Sequence, residues 1–298
     1  MMKTAWVFPG QGSQVVGMGM DLLELPAAKE RLEWASNVLG WSVIEVCQGP
    51  EDRLAKTFYT QPCLYLIESL LVDLLMTEGY TPNWVAGHSL GEYVAFYAAG
   101  VFSFESGLRL VKRRAELMDA ASDGKMVALV GFERAELEAA IDQTPGVILA
   151  NDNNPGQVVI SGTVEAVDTV VSAIKVRKAI PLNVSGAFHS PLMADAAAEF
   201  QLVLDLVSFN DAKIPVLSNV EPTATTDAHV LRDRLTRQMT GPVRWREISL
   251  HLAANGVERV VEIGPGKVLT GLVKRTCPEL VLENISNFTD LKAWIASQ

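Results

Sequence analysis

Short apolar runs alternate with amphipathic segments at both ends of the chain. The runs at 5–8, 84–87 and 257–263 each lead into a glycine-containing turn, which is typical of buried strands. Helical periodicity follows in three places: 20–39, 61–78 and 90–99. Strands that alternate with helices of this length predict an α/β fold, in which helices cover a mostly parallel sheet as in the α/β-hydrolases.

The middle of the chain has a different pattern of elements. Strand patterns and helix patterns follow in the order β-α-β-β-α-β, at 126–131, 134–141, 147–150, 157–160, 164–174 and 177–184. This order is that of a split βαβ, or ferredoxin-like, unit. We therefore predict a small α+β subdomain at 125–186, inserted into a large α/β domain formed by 1–124 and 187–298.

Charge and hydropathy exclude several classes of protein. The formal net charge of -10 argues against a nucleic-acid-binding protein, which usually carries a basic surface. The longest apolar stretch, 64–76, is interrupted by Glu68 and Asp73, so we expect no segment in the membrane. Because Pro9 and Gly10 follow the first apolar run closely, we expect no signal peptide and predict a cytoplasmic protein.

The segment Gly87-His88-Ser89-Leu90-Gly91 fits the nucleophile elbow, with a predicted strand before it and a predicted helix after it. The turn presents Ser89 at a helix N-terminus, where unpaired N–H groups favour developing negative charge. The N–H of Leu90 is then one oxyanion donor. The alternative is an ordinary strand-to-helix turn with a capping serine.

A second oxyanion donor is expected from the loop at 8–14, with the N–H of Gln11 as the candidate. The glycines of this loop do not form a dinucleotide-binding fingerprint, because Val15 occupies the position of the last glycine. The segment at 264–267 lacks the first glycine and the final Ser or Thr of a phosphate-binding loop. Both segments are interpreted as strand-to-helix loops.

A serine nucleophile needs a base, and the chain offers four histidines: His88, His189, His229 and His251. His189 lies where the chain leaves the predicted subdomain, and active sites are commonly assembled at such junctions. The alternative role for His189 is to cap the following helix. Since no acidic residue follows in an obvious third position, a backbone carbonyl is the candidate partner of its ring.

Arg114 falls in the middle of the apolar face of the helical pattern at 105–121. A buried guanidinium needs an anion or carbonyl oxygens as partners. Two interpretations stay open here. Either a carboxylate of the protein pairs with Arg114, or the carboxylate of a substrate does, since the guanidinium suits two-point contact with a carboxylate.

These residues occur within an ordered set of motifs that spans nearly the whole chain: 8–14, 61–62, 87–93, 155–162, 188–193 and 262–271. In this set the chain resembles the bacterial malonyl-CoA:acyl carrier protein transacylases. Two departures from the family pattern are visible. Ala115 stands where a glycine commonly follows the arginine, and the segment at 175–178 is shorter than usual.

The resemblance implies roles for the catalytic residues. Ser89 would be the nucleophile and His189 its base, with Gln11 and Leu90 in the oxyanion hole. The backbone carbonyl of Gln238 would orient the histidine.

The resemblance also implies a substrate site. Arg114 would bind the malonyl carboxylate, and Phe188 matches the phenylalanine that accompanies a preference for malonyl groups in related acyltransferases. Gln61 and His88, which belong to the shared motifs, are further predicted substrate contacts.

The implied partners are malonyl-CoA as substrate and an acyl carrier protein as acceptor, in fatty-acid synthesis, with no metal or redox cofactor. We further expect a monomer. Because carrier proteins of this kind are acidic, a basic patch is expected on the surface, formed by one of two groups: Lys175, Arg177 and Lys178, or Lys267, Lys274 and Arg275.

Other functions remain open from the sequence. A serine hydrolase shares the elbow and the base but passes the acyl group to water. A non-catalytic acyl-binding protein is a second alternative, and a transacylase that serves polyketide or malonate-decarboxylation carriers is a third.

Overall fold

A computed structural model describes residues 2–121 and 123–298 of the chain. The strands are β1 (Thr4–Phe8), β2 (Trp84–Gly87), β3 (Lys125–Phe132), β4 (Val147–Asn154), β5 (Gln157–Gly162), β6 (Val176–Pro181), β7 (Val216–Leu217), β8 (Ala224–Thr225), β9 (Arg259–Ile263) and β10 (Val281–Ile285). The helices are α1 (Pro26–Leu39), α2 (Val43–Cys47), α3 (Glu51–Leu54), α4 (Thr57–Thr77), α5 (Gly91–Ala98), α6 (Phe104–Ala120), α7 (Arg134–Asp142), α8 (Val164–Ala173), α9 (Ala194–Leu204), α10 (Ala228–Gln238), α11 (Trp245–Ala254), α12 (Val268–Thr276) and α13 (Phe288–Ser297). Two 3₁₀ segments, Met20–Glu24 and Pro191–Met193, complete the set.

The large sheet has the strand order β10-β9-β1-β2-β7-β8. All neighbours pair in parallel except β7 and β8. Every residue of β1 is buried, which explains its continuous apolar run. Phe8 pairs with Gly87 at the carboxyl ends of β1 and β2. The loops that follow these two strands therefore meet at one edge of the sheet, which is where open α/β sheets bind ligands.

The four-stranded sheet has the order β4-β5-β3-β6, and all its neighbours are antiparallel. Helices α7 and α8 complete the β-α-β-β-α-β order of a ferredoxin-like unit. The predicted fold class, an α/β fold with an inserted ferredoxin-like subdomain, is confirmed. The last strand was expected over 177–184 but runs from Val176 to Pro181. The N–H of Leu182 still donates to the carbonyl of Met126 (3.0 Å).

The small sheet is joined to the large domain through β4. The N–H of Asp152 donates to the carbonyl of Val243 (2.9 Å), and the N–H of Val243 donates to that of Ala150 (2.8 Å). The buried carboxylate of Asp152 also accepts hydrogen bonds from Arg134 (2.8 Å) and Arg246 (2.9 Å). These contacts fix the position of the insertion beside the elbow.

Two predicted helices have different bounds in the structure. The helix expected over 20–39 is divided into a 3₁₀ segment and α1, because Leu25 is extended (φ -98°, ψ 115°) ahead of Pro26, as residues before proline generally are. The helix expected over 61–78 runs from Thr57 to Thr77, so that Pro62 lies inside it and not at its first turn. Within the described residues, no helix is both long and apolar enough to cross a bilayer.

A carboxyl group lies in the interior of α4. Glu68 is fully buried, and neither of its oxygens has a hydrogen-bond partner among the described residues. Burial, and then the charge of Glu262, raise the pKa of Glu68 well above its usual range. Glu262 itself accepts hydrogen bonds from the N–H groups of Leu269 (2.9 Å) and Thr270 (2.8 Å). Burial therefore favours the neutral form of Glu68.

Replacing Glu68 by methionine should stabilise the protein at pH 8 by about 1–3 kcal/mol, because an unsatisfied buried polar group is removed. The folded-state pKa of Glu68 is raised, so the folded protein binds this proton more tightly than the unfolded chain does. Wild-type stability therefore falls as the pH rises above the pKa of the unfolded chain. Denaturant unfolding at pH 5 and pH 8 should show a larger gain at pH 8, with the exposed Glu30→Met as control. An equal gain at both values would contradict this.

Candidate active site

The segment between β2 and α5 forms the predicted tight turn. Ser89 has a φ of +53°, in the left-handed region that residues with side chains rarely adopt. A Cβ added to Gly87 would overlap the backbone of Gly91, and one added to Gly91 would overlap the carbonyl of Phe8. Glycine at both positions is thus what allows the chain to reverse and present Ser89.

Ser89 and His189 lie in contact, as the sequence predicted. The Ser89 Oγ is 2.8 Å from the His189 Nε2, and the His189 Nδ1 is 3.0 Å from the carbonyl of Gln238 and 3.2 Å from that of Gly241. Two carbonyl oxygens accept only if Nδ1 carries the proton, which leaves Nε2 to accept from the serine hydroxyl. In the part of the chain that the structure describes, no carboxylate bonds to this ring, so the arrangement is a dyad. The catalytic roles stay predictions.

The His189 ring is neutral in this site. Burial, and then the positive charge of Arg114, lower the pKa of His189 to about 3. A neutral imidazole with a free lone pair on Nε2 is the form that can accept a proton from a hydroxyl.

Arg114 is fully buried in the middle of α6, with its guanidinium beside Ser89. It donates from Nη1 to the Gln61 side chain (2.7 Å), and from Nη2 to the Ser89 Oγ (3.0 Å) and the Gln238 side chain (3.1 Å). No carboxylate of residues 2–121 or 123–298 forms an ion pair with it. Of the two interpretations of Arg114, these contacts favour the one in which a substrate supplies the carboxylate.

The loop after β1 lies against the elbow. A Cβ on Gly10 would overlap the carbonyl of His88 and would lie 3.6 Å from the Leu90 nitrogen. The Gln11 side chain is held by the Thr57 hydroxyl (3.0 Å). Within the described residues, the N–H groups of Gln11 and Leu90 have no hydrogen-bond acceptor. Both are thus available to an oxyanion, although that role stays a prediction.

These side chains surround a cavity of about 80 Å³, lined by Gln11, Gln61, His88, Ser89, Leu90, Arg114, Met118, Met126, Asn151, Leu182, Val184, Phe188 and His189. All predicted site residues reach this cavity except Gln238, which lies behind it and contacts Arg114 and His189. The His88 ring is 2.9 Å from the Asn153 side chain, so His88 also links the elbow to the small sheet.

Several residues that line the cavity were not predicted from the sequence. The small subdomain contributes Met126, and the segment after β6 contributes Leu182 and Val184. Apolar residues of this kind carry no chemical signal of a site in a single sequence. Among the described residues, no group of three or more His, Cys, Asp or Glu side chains is placed to hold a metal ion.

A serine on a strained turn beside a neutral histidine, on an α/β sheet with a ferredoxin-like insertion, is an arrangement that can carry an acyl group on the serine. The family model described as "Acyl transferase domain" matches residues 5–295. The chain belongs to this family.

Known relatives agree over nearly the full length. A protein of a Synechocystis species named "Malonyl CoA-acyl carrier protein transacylase" is 56% identical, with 98% of this chain and 100% of the relative covered. A crystal structure of the Synechocystis malonyl-CoA:ACP transacylase covers the same shares with a TM-score of 0.96. A Bacillus velezensis protein named "Polyketide biosynthesis malonyl CoA-acyl carrier protein transacylase BaeC" is 42% identical over 91% of this chain and 95% of its own length. The resemblance read from the motifs is confirmed.

Proposed function

We propose that the chain transfers a malonyl group from malonyl-CoA to the phosphopantetheine thiol of an acyl carrier protein, through a malonyl ester on Ser89, and so supplies fatty-acid synthesis. One observation carries the proposal. Arg114 is buried 3.0 Å from the Ser89 Oγ with no carboxylate partner among the described residues. A malonyl group on Ser89 would supply that carboxylate, and the names of the relatives fit this substrate.

In the first half-reaction, the His189 Nε2 takes the proton of Ser89 as Oγ attacks the thioester carbonyl of malonyl-CoA. The N–H groups of Gln11 and Leu90 donate to the oxyanion of the tetrahedral intermediate. When the C–S bond breaks, the proton on His189 passes to the sulfur of CoA. The malonyl ester then remains on Ser89, and its carboxylate is held by Arg114.

In the second half-reaction, the thiol of the carrier's phosphopantetheine gives its proton to His189 and attacks the ester carbonyl. The Ser89 oxygen leaves and recovers the proton from His189. Every step in this ping-pong cycle uses side chains and backbone groups alone, so the proposal requires no metal or redox cofactor.

We propose a carrier protein of fatty-acid synthesis as the acceptor. A polyketide carrier is the second candidate, because one relative is named for polyketide biosynthesis. Both basic groups expected at the carrier surface, 175–178 and 267–275, expose their Lys and Arg side chains. A monomer in the cytoplasm remains our prediction.

The test is the intact mass of the protein after brief exposure to malonyl-CoA, beside acetyl-CoA and the Ser89→Ala variant. We expect a malonyl adduct that is absent from the variant, weak with acetyl-CoA and lost on addition of holo acyl carrier protein. If malonyl-CoA is consumed without an adduct and water takes the acyl group, the chain is a hydrolase and the proposal is wrong. Comparing a fatty-acid carrier with a polyketide carrier in the last step decides between the two acceptors.

A further inference from the structure

Asn219 spans the strained turn that carries Ser89. It follows β7 and is fully buried. Its side-chain oxygen accepts from the Ser89 N–H (2.7 Å), and its side-chain nitrogen donates to the carbonyl of Gly87 (2.6 Å). These partners fix the orientation of the amide, because one is only a donor and the other only an acceptor. One side chain thus bonds the backbone at two points of the elbow.

Glu92, in the first turn of α5, holds this arrangement together. Its Oε2 accepts from the backbone N–H of Asn219 (3.3 Å) and from the side chain of Gln238 (2.9 Å). The same Gln238 nitrogen donates to the carbonyl of Ser89 (2.7 Å). Both backbone polar groups of Ser89 are therefore bonded by side chains that come from distant parts of the chain.

The backbone of Ser89 needs such support because its φ of +53° is sparsely populated by residues with side chains. Strained backbone conformations of this kind persist only where several contacts from the surrounding structure hold them in place. In this conformation the Ser89 Oγ lies 2.8 Å from the His189 Nε2 and 3.0 Å from the Arg114 Nη2. We expect a relaxed turn to move Oγ away from both.

We propose that Asn219 is a positioning residue of the transfer reaction, whose amide holds Ser89 in the reactive backbone conformation, and that Glu92 fixes Asn219 in place. The inference rests on the proposed role of Ser89 as nucleophile. It adds a residue that does not touch the acyl group and acts through the geometry of the elbow.

The experiment compares Asn219→Ala and Asn219→Asp with the wild type. The control is Asn284→Ala, which removes an asparagine side chain that bonds a buried group, Glu262 (2.9 Å), away from the elbow. Two rates are measured: malonyl adduct formation, and sulfonylation of Ser89 by phenylmethanesulfonyl fluoride. In the second reaction the Ser89 oxygen bonds to sulfur, its proton passes to His189 and fluoride leaves, so the rate reports the position of Ser89 without any carboxylate recognition.

We expect Asn219→Ala to lower both rates on the order of 10- to 30-fold, since small displacements of a reacting atom are costly. The effect should lie in kcat, with KM for malonyl-CoA little changed, and Asn284→Ala should leave both rates near wild type. If folded Asn219→Ala reacts with both reagents within about threefold of wild type, the inference is wrong.

The pH dependence of Asn219→Asp gives a measurement that would not change if Asn219 only stabilised the fold. A protonated Asp at 219 can accept from the Ser89 N–H and donate to the Gly87 carbonyl as asparagine does, whereas the ionised form cannot donate. Its reaction rate relative to wild type should therefore increase as the pH falls from 8 to 5.5. A constant ratio would overturn the inference even where Asn219→Ala does not fold.

The ratio to wild type is needed because other groups near Asn219 titrate or carry charge. Burial raises the pKa of Glu92 to about 7. The backbone N–H of Arg244 donates to the Asn219 carbonyl (3.0 Å), and Arg114 and His189 face the same turn through Ser89. If wild type forms no malonyl adduct at all, the proposed function fails, while the sulfonylation rates still test the role of Asn219.

Discussion

Replacing His189 by alanine is expected to slow formation of the malonyl adduct by about 10³-fold, because the Ser89 hydroxyl loses the base that takes its proton. Rapid-quench measurement of the adduct mass gives the rate directly. The exposed His229 provides the control, and His229→Ala should react at the wild-type rate. A His189→Ala variant that acylates within tenfold of wild type would exclude His189 as the base.

The same histidine determines the expected pH profile. Its pKa is lowered to about 3, first by burial and then by the charge of Arg114. The base is therefore neutral throughout the range from pH 5 to 8, and protonation of His189 should cause no loss of kcat/KM there. A tenfold loss on going from pH 7 to pH 5, with a midpoint near 6.5, would show instead that His189 titrates like a solvent-exposed histidine, provided that it is also seen in Glu92→Gln, which removes the carboxyl group whose pKa is about 7.

The sequence could predict those residues of the site whose presence is explained by their own segment of the chain. The elbow was recognised because Gly87 and Gly91 are required by close backbone approach on both sides of Ser89. Arg114 stood out because a charged residue on an apolar helix face needs a partner. The ferredoxin-like insertion followed from the order of its strands and helices, which periodicity alone reveals.

The parts that could not be predicted depend on which distant segments meet. Asn219 lies in none of the motifs, and Glu92, although it lies in the motif at 87–93, carries no signal that it supports the elbow, since glutamate in a first helical turn is common. Their role follows from the parallel pairing of β2 with β7, which places Asn219 beside the turn. Leu182 lines the cavity directly after β6 ends at Pro181, in a stretch whose apolar pattern predicted only a continuing strand.

Replacing Arg114 by methionine is expected to lower kcat/KM for adduct formation from malonyl-CoA by about 10²-fold. In a buried cavity the charge-assisted hydrogen bonds between a guanidinium and a carboxylate are strong, and methionine keeps bulk without charge. Acetyl-CoA has no carboxylate to lose, so its kcat/KM should change much less. The preference for malonyl-CoA over acetyl-CoA should then nearly disappear, which competition between the two thioesters measures by mass.

The control for this variant is Arg234→Met. Arg234 is also buried, but it pairs with a carboxylate of the protein, Glu221 (2.7 Å). Its loss should lower stability and leave the preference for malonyl-CoA intact. If Arg114→Met instead slows both thioesters equally, Arg114 acts through its contacts to Gln61 and Gln238, which brace the site, and another residue recognises the carboxylate. Arg114 bonds both Ser89 and the two side chains that brace the site. The ratio of kcat/KM for malonyl-CoA to that for acetyl-CoA therefore shows whether Arg114 recognises the substrate carboxylate or supports the site.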